Sequence, residues 1–273
     1  MKCATRATDT WPSLLIRDAD GTRFLRIVGD EFRMGCIDGG CTGPGDPAYP
    51  SHKVILTGFY LQETEVTGEE LNHFHKAKDG NKLANHPASA ISHEEAEEFA
   101  ASYANGELPT EAQWEFAARS RSADKNIYPW SWRAEAEQAE LKEKPLNQLG
   151  NIHHSHKSST QTSPVGSFRG TDATEQGILD LAGNVREWCR DVYAVYAEDE
   201  PGIPVPINPE GPKRSPDRPE MFVIRGGSFA TTDRAKVQTT FRDRAARGQQ
   251  LEDVGFRVVL ETPDSPGPSL DKP

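Results

Sequence analysis

MFVIRGGSF, residues 221–229, and VGFRVVL, residues 254–260, enclose the most informative part of this chain. The first has the apolar pattern of a strand that runs into a glycine turn, and the second has that of a closing strand. The segment between them, ATTDRAKVQTTFRDRAARGQQLED, is rich in hydroxyl and guanidinium groups, and no cysteine lies between Ser228 and Gly255. The segment therefore offers polar groups for binding and no thiol for chemistry.

Two helices are predicted upstream of this segment by their capping residues. Ser92 and Glu95 have the spacing of a capping box, and the apolar residues that follow recur every three or four positions up to Asn105. Thr110 and Gln113 predict a second capping box.

The second of these helices is predicted to run to about Arg119 and to bury Trp114, Ala117 and Ala118. Glu115 and Arg119 are four residues apart, which is the spacing of an ion pair on a helix surface. We therefore expect a scaffold role here and no general acid or base.

The remaining chain alternates between short strand patterns and long irregular stretches. Residues 22–34 predict a hairpin, and residues 53–67 predict a strand run with four inward apolar residues. Residues 121–177 show little periodicity, and the proline-rich residues 198–220 predict a surface excursion. The inward residues of the strand run are Val54, Leu56, Phe59 and Leu61.

These patterns predict one mixed α/β domain with short strands and long loops. We place it at residues 22–261, after an N-terminal lead of residues 1–21 and before a disordered tail of residues 262–273. No internal repeat is visible.

The charge of the chain excludes one class of partner. Its formal net charge is -11, and nucleic-acid binding requires clustered lysine and arginine. No apolar run reaches the length of a membrane span, and no secretory signal is visible. We expect a soluble, cytoplasmic protein without a membrane partner.

Cysteine and histidine give weak signals for a metal site. Cys36 and Cys41 are expected to be free thiols, with a disulfide or a redox pair as alternatives. Cys189 is expected to be a small buried hydrophobe. The histidines at 153, 154 and 156 predict an exposed polar loop rather than a transition-metal site.

Ordered motifs over residues 24–260 resemble the formylglycine-generating enzyme, or sulfatase-modifying factor, family. They include FRMG, LPTEAQWEFAARS, PVGSF, GILDLAGNVREWCRD, VIRGGSF and GFRVV. The resemblance implies the formylglycine-generating-enzyme fold, a C-type-lectin-like α/β architecture with little regular secondary structure. Because members of such a family differ in chemistry, the fold alone does not assign a function.

The resemblance also implies a copper site that this chain lacks. Copper-dependent members hold Cu(I) with two cysteines, and soft thiolates suit this ion. Motif counting places the first at about Thr231 and the second near residues 237–239, where no cysteine occurs. We therefore assign no catalytic residue and expect no bound copper.

Calcium is the cofactor that the resemblance implies here. The matching ligands are the side chains of Asp180 and Glu187 and the carbonyls of Gly183 and Val185. From the residues alone, two acidic groups about a glycine turn can also be a solvated surface.

A second family calcium site begins at Asn151 and Ile152. No acidic residue follows before Pro164, so we expect this site to be weak or empty.

The polar segment is predicted to line a ligand cleft. An anionic group or a peptide carboxylate suits arginine, and a mixed-charge surface is the alternative. The predicted cleft residues are Arg225, Ser228, Thr231, Arg234, Arg242 and Arg244.

Two functions remain after these arguments. The leading one is a calcium-stabilised module that binds a peptide, a protein or a small anionic ligand, without copper-thiolate oxidase chemistry. The alternative is an oxidoreductase that generates formylglycine or oxidises through a non-heme metal at a non-standard site. In either case the chain can belong to a larger multi-protein assembly.

Overall fold

The computed structural model describes residues 11–36, 43, 45–75, 84–119, 127–152, 162–215 and 219–262. Its strands are β1 (Leu14–Ile16), β2 (Arg23–Ile27), β3 (Glu31–Met34), β4 (His52–Ile55), β5 (Phe59–Gln62), β6 (Arg186–Val192), β7 (Met221–Arg225), β8 (Arg242–Ala246), β9 (Val254–Gly255) and β10 (Val259–Glu261). Its helices are α1 (Gly68–His75), α2 (His93–Ala104), α3 (Glu111–Arg119), α4 (Glu135–Glu143) and α5 (Leu146–Leu149), with a 3-10 turn at Arg234–Val237.

The strands form three small sheets. One has the order β1-β2-β5-β10 and is antiparallel, and β3 pairs with β4 separately. The third has the order β8-β7-β6-β9, in which β6 and β9 run parallel. Short strands, short helices and long connections together confirm the predicted mixed α/β class.

Both predicted capping boxes are confirmed. Ser92 caps α2 with reciprocal bonds to Glu95, and the helix ends at Asn105 in the left-handed conformation. At α3 the Gln113 amide donates to Thr110 Oγ1 at 3.1 Å, and the Thr110 amide donates to Gln113 Oε1 at 2.8 Å. These local bonds satisfy amides that a helix start leaves without intrahelical partners.

α3 is more deeply buried than the sequence suggested. All nine of its residues are buried, including the predicted Trp114, Ala117 and Ala118. The predicted surface pair of Glu115 and Arg119 is a correction, because both side chains are 0% exposed and their 2.8 Å ion pair lies in the core. The helix therefore carries charged groups inward.

The predicted strand run over residues 53–67 forms two strands, β4 and β5, which belong to different sheets. The prediction of its inward residues is confirmed: Val54, Leu56, Phe59 and Leu61 are at most 2% exposed. The predicted hairpin at residues 22–34 does not form, because β2 pairs with β1 and β5 while β3 pairs with β4. Gly29 lies at this divergence, where a Cβ would sit 2.1 Å from the Leu56 carbonyl oxygen.

Two further segments differ from their predicted form. β1 lies inside the predicted N-terminal lead yet pairs with β2 over three residues. The irregular stretch at residues 121–177 contains α4 and α5, whose buried Leu141, Leu146 and Leu149 form a small core with Trp130. Among the described residues, no helix has the length and apolar character to cross a bilayer.

Candidate functional site

The loop after β7, residues 226–231, holds two buried hydroxyl groups side by side, and we call it the Ser228 loop. Ser228 and Thr231 are 1% and 8% exposed, and the Ser228 amide donates to Thr231 Oγ1 at 2.9 Å. The loop passes close to the chain at Leu181, because a Cβ on Gly226, where φ is +78°, would lie 2.9 Å from the Leu181 carbonyl oxygen. The two glycines of RGGS thus bring this loop against the segment that precedes β6.

Asp253 connects Ser228 to Arg186, which also bonds a second carboxylate. Ser228 Oγ donates to Asp253 Oδ2 at 2.8 Å, and Arg186 donates to both oxygens of Asp253 at 3.0 and 2.7 Å. Arg186 also donates to Asp243 at 2.6 Å. One guanidinium therefore faces two carboxylates, and the group as a whole is negatively charged.

Asp253 is held in its ionised form. Its partial burial would raise the pKa of the carboxyl, but hydrogen bonds and charge from Arg186, with a hydrogen bond from Ser228, lower it below its ordinary value. A carboxylate with a low pKa is a poor general base at neutral pH. Ser228 is therefore positioned and hydrogen-bonded by Asp253, without the basic partner that would make it a nucleophile.

Thiol chemistry has no support among the described residues. Cys189 is 0% exposed and lies in the core of α3 and β7. Burial, and then the charges of Glu111 and Asp191, raise the pKa of its thiol well above the ordinary value. The expected buried, inert role of Cys189 is therefore what the structure supports.

Cys36 corrects the expectation of free thiols, because it is disulfide-bonded. Cys41 and the predicted loop of His153, His154 and His156 lie outside the described residues.

Two of the predicted cleft arginines belong to the core instead. Arg225 is 0% exposed, forms an ion pair with Glu115, and donates to the carbonyls of residues 239–241. Arg242 is 3% exposed and donates to both oxygens of Glu111 at 2.5 and 2.8 Å. Both guanidinium groups are buried and their terminal nitrogens donate to the protein itself, so neither is presented to a ligand.

The other two predicted arginines lie on separate elements. Arg234 donates to the Lys144 carbonyl at 2.8 Å from the 3-10 turn. Arg244 is exposed on β8, with its guanidinium 4.4 Å from the centre of the Tyr193 ring. Of the six predicted cleft residues, Ser228 and Thr231 lie side by side in the loop, whereas Arg225 and Arg242 are cross-strand partners in the core.

The two predicted calcium-binding carboxylates are buried, and both already accept hydrogen bonds from the protein. Glu187 is 1% exposed and accepts from Arg257 at 2.7 Å on each oxygen and from Trp114 at 2.9 Å. Asp180 is 3% exposed and accepts from the Gly166 amide at 2.5 Å. The alternative of a solvated acidic surface does not apply, because both carboxylates are buried.

Two further carboxylates that the sequence did not single out face this pair. Glu65 is 0% exposed, and neither of its oxygens has a hydrogen-bond donor. Asp172 is 1% exposed, and its Oδ1 also has none. We call Glu65, Asp172, Asp180 and Glu187 the buried acid cluster.

Arg257 is the cation that faces the buried acid cluster, and one guanidinium cannot neutralise four carboxylates. Burial, followed by the charge of Asp180, raises the pKa of Glu65 and of Asp172 well above their ordinary values. Burial also raises the pKa of Asp180 to about 6. The burial of this cluster therefore favours either protonation of these carboxyls or an added cation.

Asn151, the start of the predicted second calcium site, is used within the protein. Its Nδ2 donates to Asn184 Oδ1 at 3.0 Å, and its carbonyl accepts from the Asn184 amide at 2.9 Å. Ile152 is 1% exposed in the small core of α4 and α5.

Within the described ranges, no group of three or more acidic, histidine or cysteine side chains, the buried acid cluster included, is arranged as a formed metal site. Sequence reasoning missed Arg186 and Asp253. Arg186 lies in the motif GILDLAGNVREWCRD, and Asp253 directly precedes VGFRVVL. Only the parallel pairing of β6 with β9, which aligns Arg186 with Val254, brings them together.

Comparisons with known proteins agree with the fold described above. The model of the sulfatase-modifying factor enzyme 1-like domain matches residues 17–262. The chain is 27% identical to a formylglycine-generating enzyme of Streptomyces coelicolor, over 77% of this chain and 79% of that protein. It is 33% identical to a formylglycine-generating enzyme of Thermomonospora curvata, over 64% of this chain and about half (52%) of that protein.

A solved structure of PvdO from Pseudomonas aeruginosa superposes with a TM-score of 0.71 at 22% identity, covering 91% of this chain and 98% of that one. Treponema denticola variable protein 1 superposes with a TM-score of 0.69 at 20% identity, covering 92% of this chain and 100% of that one. At these identities the likeness is one of fold, and it confirms the predicted C-type-lectin-like architecture.

Proposed function

Because the chain belongs to the family of sulfatase-modifying factor enzyme 1-like domains, we propose that it is a divergent member that binds a ligand at the Ser228 loop. Copper-thiolate oxidation is not part of the proposal. The observation that carries it is the hydroxyl of Thr231, which accepts from the Ser228 amide at 2.9 Å where the family resemblance places a cysteine.

The donor set at the Ser228 loop does not fit Cu(I). Hydroxyl and carboxylate oxygens are hard ligands, whereas Cu(I) selects thiolate or thioether sulfur. The segment between Ser228 and Gly255 has no cysteine, and Cys189 is sealed in the core. We therefore derive no step through copper.

The same oxygens suit recognition of a polar group. Asp253 and Asp243 are 20% and 42% exposed in their side chains, and Arg186 is 17% exposed between them. Since Arg225 and Arg242 are buried, the support for an anionic ligand is weaker than the sequence suggested. A hydroxyl, amide or positively charged group of a peptide or protein fits the remaining charges better.

The absence of oxidase activity is the first testable result. We expect no formylglycine when the purified protein is incubated with copper, oxygen and a cysteine-containing sulfatase-motif peptide, with the product analysed by mass spectrometry. The Streptomyces coelicolor enzyme serves as the positive control. Formylglycine above the level of a protein-free control, or stoichiometric iron or copper in the purified protein, would favour the oxidoreductase alternative.

Calcium at the buried acid cluster is the second part of the proposal. Calcium prefers carboxylate and carbonyl oxygens, and its charge would neutralise a cluster that a single arginine leaves negative. Asp180 and Glu65 are the side chains that would hold it, because Glu187 is bonded to Arg257 and Trp114. The unpartnered oxygens of Glu65 are the observation that supports this choice.

Calcium is therefore expected to raise the melting temperature of protein treated with a chelator. A ligand at a hundredfold excess over its Kd stabilises a folded protein by about 2.7 kcal/mol. Glu65→Gln is expected to abolish most of the shift, whereas Glu198→Gln, at an exposed carboxylate, should retain it. An unchanged melting temperature in the wild type, or equal shifts in both variants, would contradict calcium binding here.

A further inference from the structure

A cavity lies at the end of β6 that is far from the Ser228 loop. Its volume is about 250 Å³. Asp191 in its floor is five residues after Arg186, which is roughly 17 Å along a strand. The walls are largely apolar and come from β3, α3, β6 and the proline-rich excursion: Met34, Ala112, Val192, Ala194, Pro209 and Pro212.

The floor of this cavity contains a buried carboxylate. Asp191 is 5% exposed, and its Oδ2 accepts from the Glu111 amide at 2.8 Å. Gly211 lies beside the other oxygen with φ +69°, and a Cβ at this position would come within 3.1 Å of Asp191 Oδ1. A side chain at this position would press on the Asp191 carboxylate, and glycine avoids that contact.

The other charged groups of the floor are already paired. Arg242 donates to both oxygens of Glu111 and to the carbonyls of Pro47 and Ala194, at 2.8 and 3.1 Å. An anionic group entering the cavity would find the Arg242 donors occupied, although the Tyr196 hydroxyl, which has no hydrogen-bond partner among the described residues, and the His52 ring also line the cavity. Because Glu111 and Arg242 neutralise each other, Asp191 determines the charge that a ligand meets.

We propose that this cavity binds a small primary amine, with the ammonium group at Asp191 and the apolar body against the walls. Few convergent polar groups within an apolar concavity are typical of small-ligand sites. Burial, and then the charge of Glu111, raise the pKa of Asp191 to about 7. A ligand cation would add to the partial compensation that the charges of Arg190 and Arg242 give this carboxylate.

Three ligands with the same apolar chain test this inference: hexylamine, hexan-1-ol and hexanoate. Isothermal titration calorimetry at about one pH unit above the pKa of Asp191 keeps its carboxylate ionised. Since hydrogen bonds to charged groups are stronger than neutral ones, we expect hexylamine to bind at least about tenfold more tightly than hexan-1-ol. Hexanoate should bind most weakly.

Variants separate the ammonium site from the cavity. Asp191→Asn should remove the preference for hexylamine, and Ala194→Phe should abolish binding of all three ligands by filling the space. Glu198→Gln is the matched control, because it removes an exposed negative charge from the same excursion. It should bind hexylamine as the wild type does.

Asn at position 191 can still accept from the Glu111 amide, and circular dichroism will check that the variant is folded. If Asp191→Asn is not folded, the ligand series on the wild type and on Ala194→Phe still tests whether the cavity prefers an amine. The inference is overturned if hexylamine does not bind, if it binds no better than hexan-1-ol, or if Glu198→Gln weakens it as much as Asp191→Asn.

Discussion

Replacing Arg257 with leucine is expected to lower the free energy of unfolding by about 3–5 kcal/mol, the cost of removing one partner from a buried ion pair. Arg257 is 0% exposed and donates to Glu187 at 2.7 Å through two nitrogens. It also donates to the carbonyls of Gln62, Glu63 and Leu179. Leucine would leave these acceptors, and the whole buried acid cluster, without a cation.

Urea unfolding followed by tryptophan fluorescence measures this loss. Arg23→Leu is the matched control, because Arg23 is 47% exposed in its side chain and forms a 2.8 Å ion pair with Glu63. It should cost no more than about 1 kcal/mol. If Arg257→Leu does not fold, Glu187→Gln provides a milder test, and a cost for either variant equal to that of Arg23→Leu would contradict the argument.

Asp191→Asn is expected to gain stability relative to the wild type as the pH rises. The pKa of Asp191 is raised from 3.8 to about 7 by burial and by Glu111. The folded protein therefore holds a proton that the unfolded chain releases, and this contribution is lost as the pH rises through about 7. A shift of about three pKa units corresponds to roughly 4 kcal/mol, which is an upper bound because the site can relax.

The difference in free energy of unfolding between Asp191→Asn and the wild type should be measured from about pH 4 to about pH 8. Taking the difference cancels the opposite contribution of groups such as Asp253, whose pKa is lowered. Asp199→Asn, at a side chain that is 44% exposed, gives the effect of losing one negative charge. Parallel curves for Asp191→Asn and the wild type would show that Asp191 does not titrate as described.

Local signals in the sequence predicted the helices well. The capping boxes of α2 and α3 involve residues three positions apart, so their hydrogen bonds depend on little besides the local chain. Strand burial followed from alternation in the same way, and Val54 and Leu61 are 0% exposed. Which strands pair was not predictable in this way, because β2 and β3 diverge at Gly29 only when the distant β5 and β4 are present.

The candidate site shows the same limit. Arg225 and Arg186 both belong to recognisable motifs, and nothing in their local sequence distinguishes a core guanidinium from a site guanidinium. The outcome depends on Glu115, 110 positions before Arg225, and on Asp253, 67 positions after Arg186. Buried charge is likewise invisible to hydrophobic patterns, which is why Glu65 and Asp172 were missed.

The parallel contact between β6 and β9 has a consequence for how such a protein can evolve. Arg186, aligned with Val254, contributes to the Ser228 loop, whereas Glu187, aligned with Gly255, holds Arg257 in the core. Consecutive strand residues point to opposite faces. Substitution at Arg186 can therefore change the charge of the surface while Glu187, the next residue, preserves the core, so the surface can vary without a new scaffold.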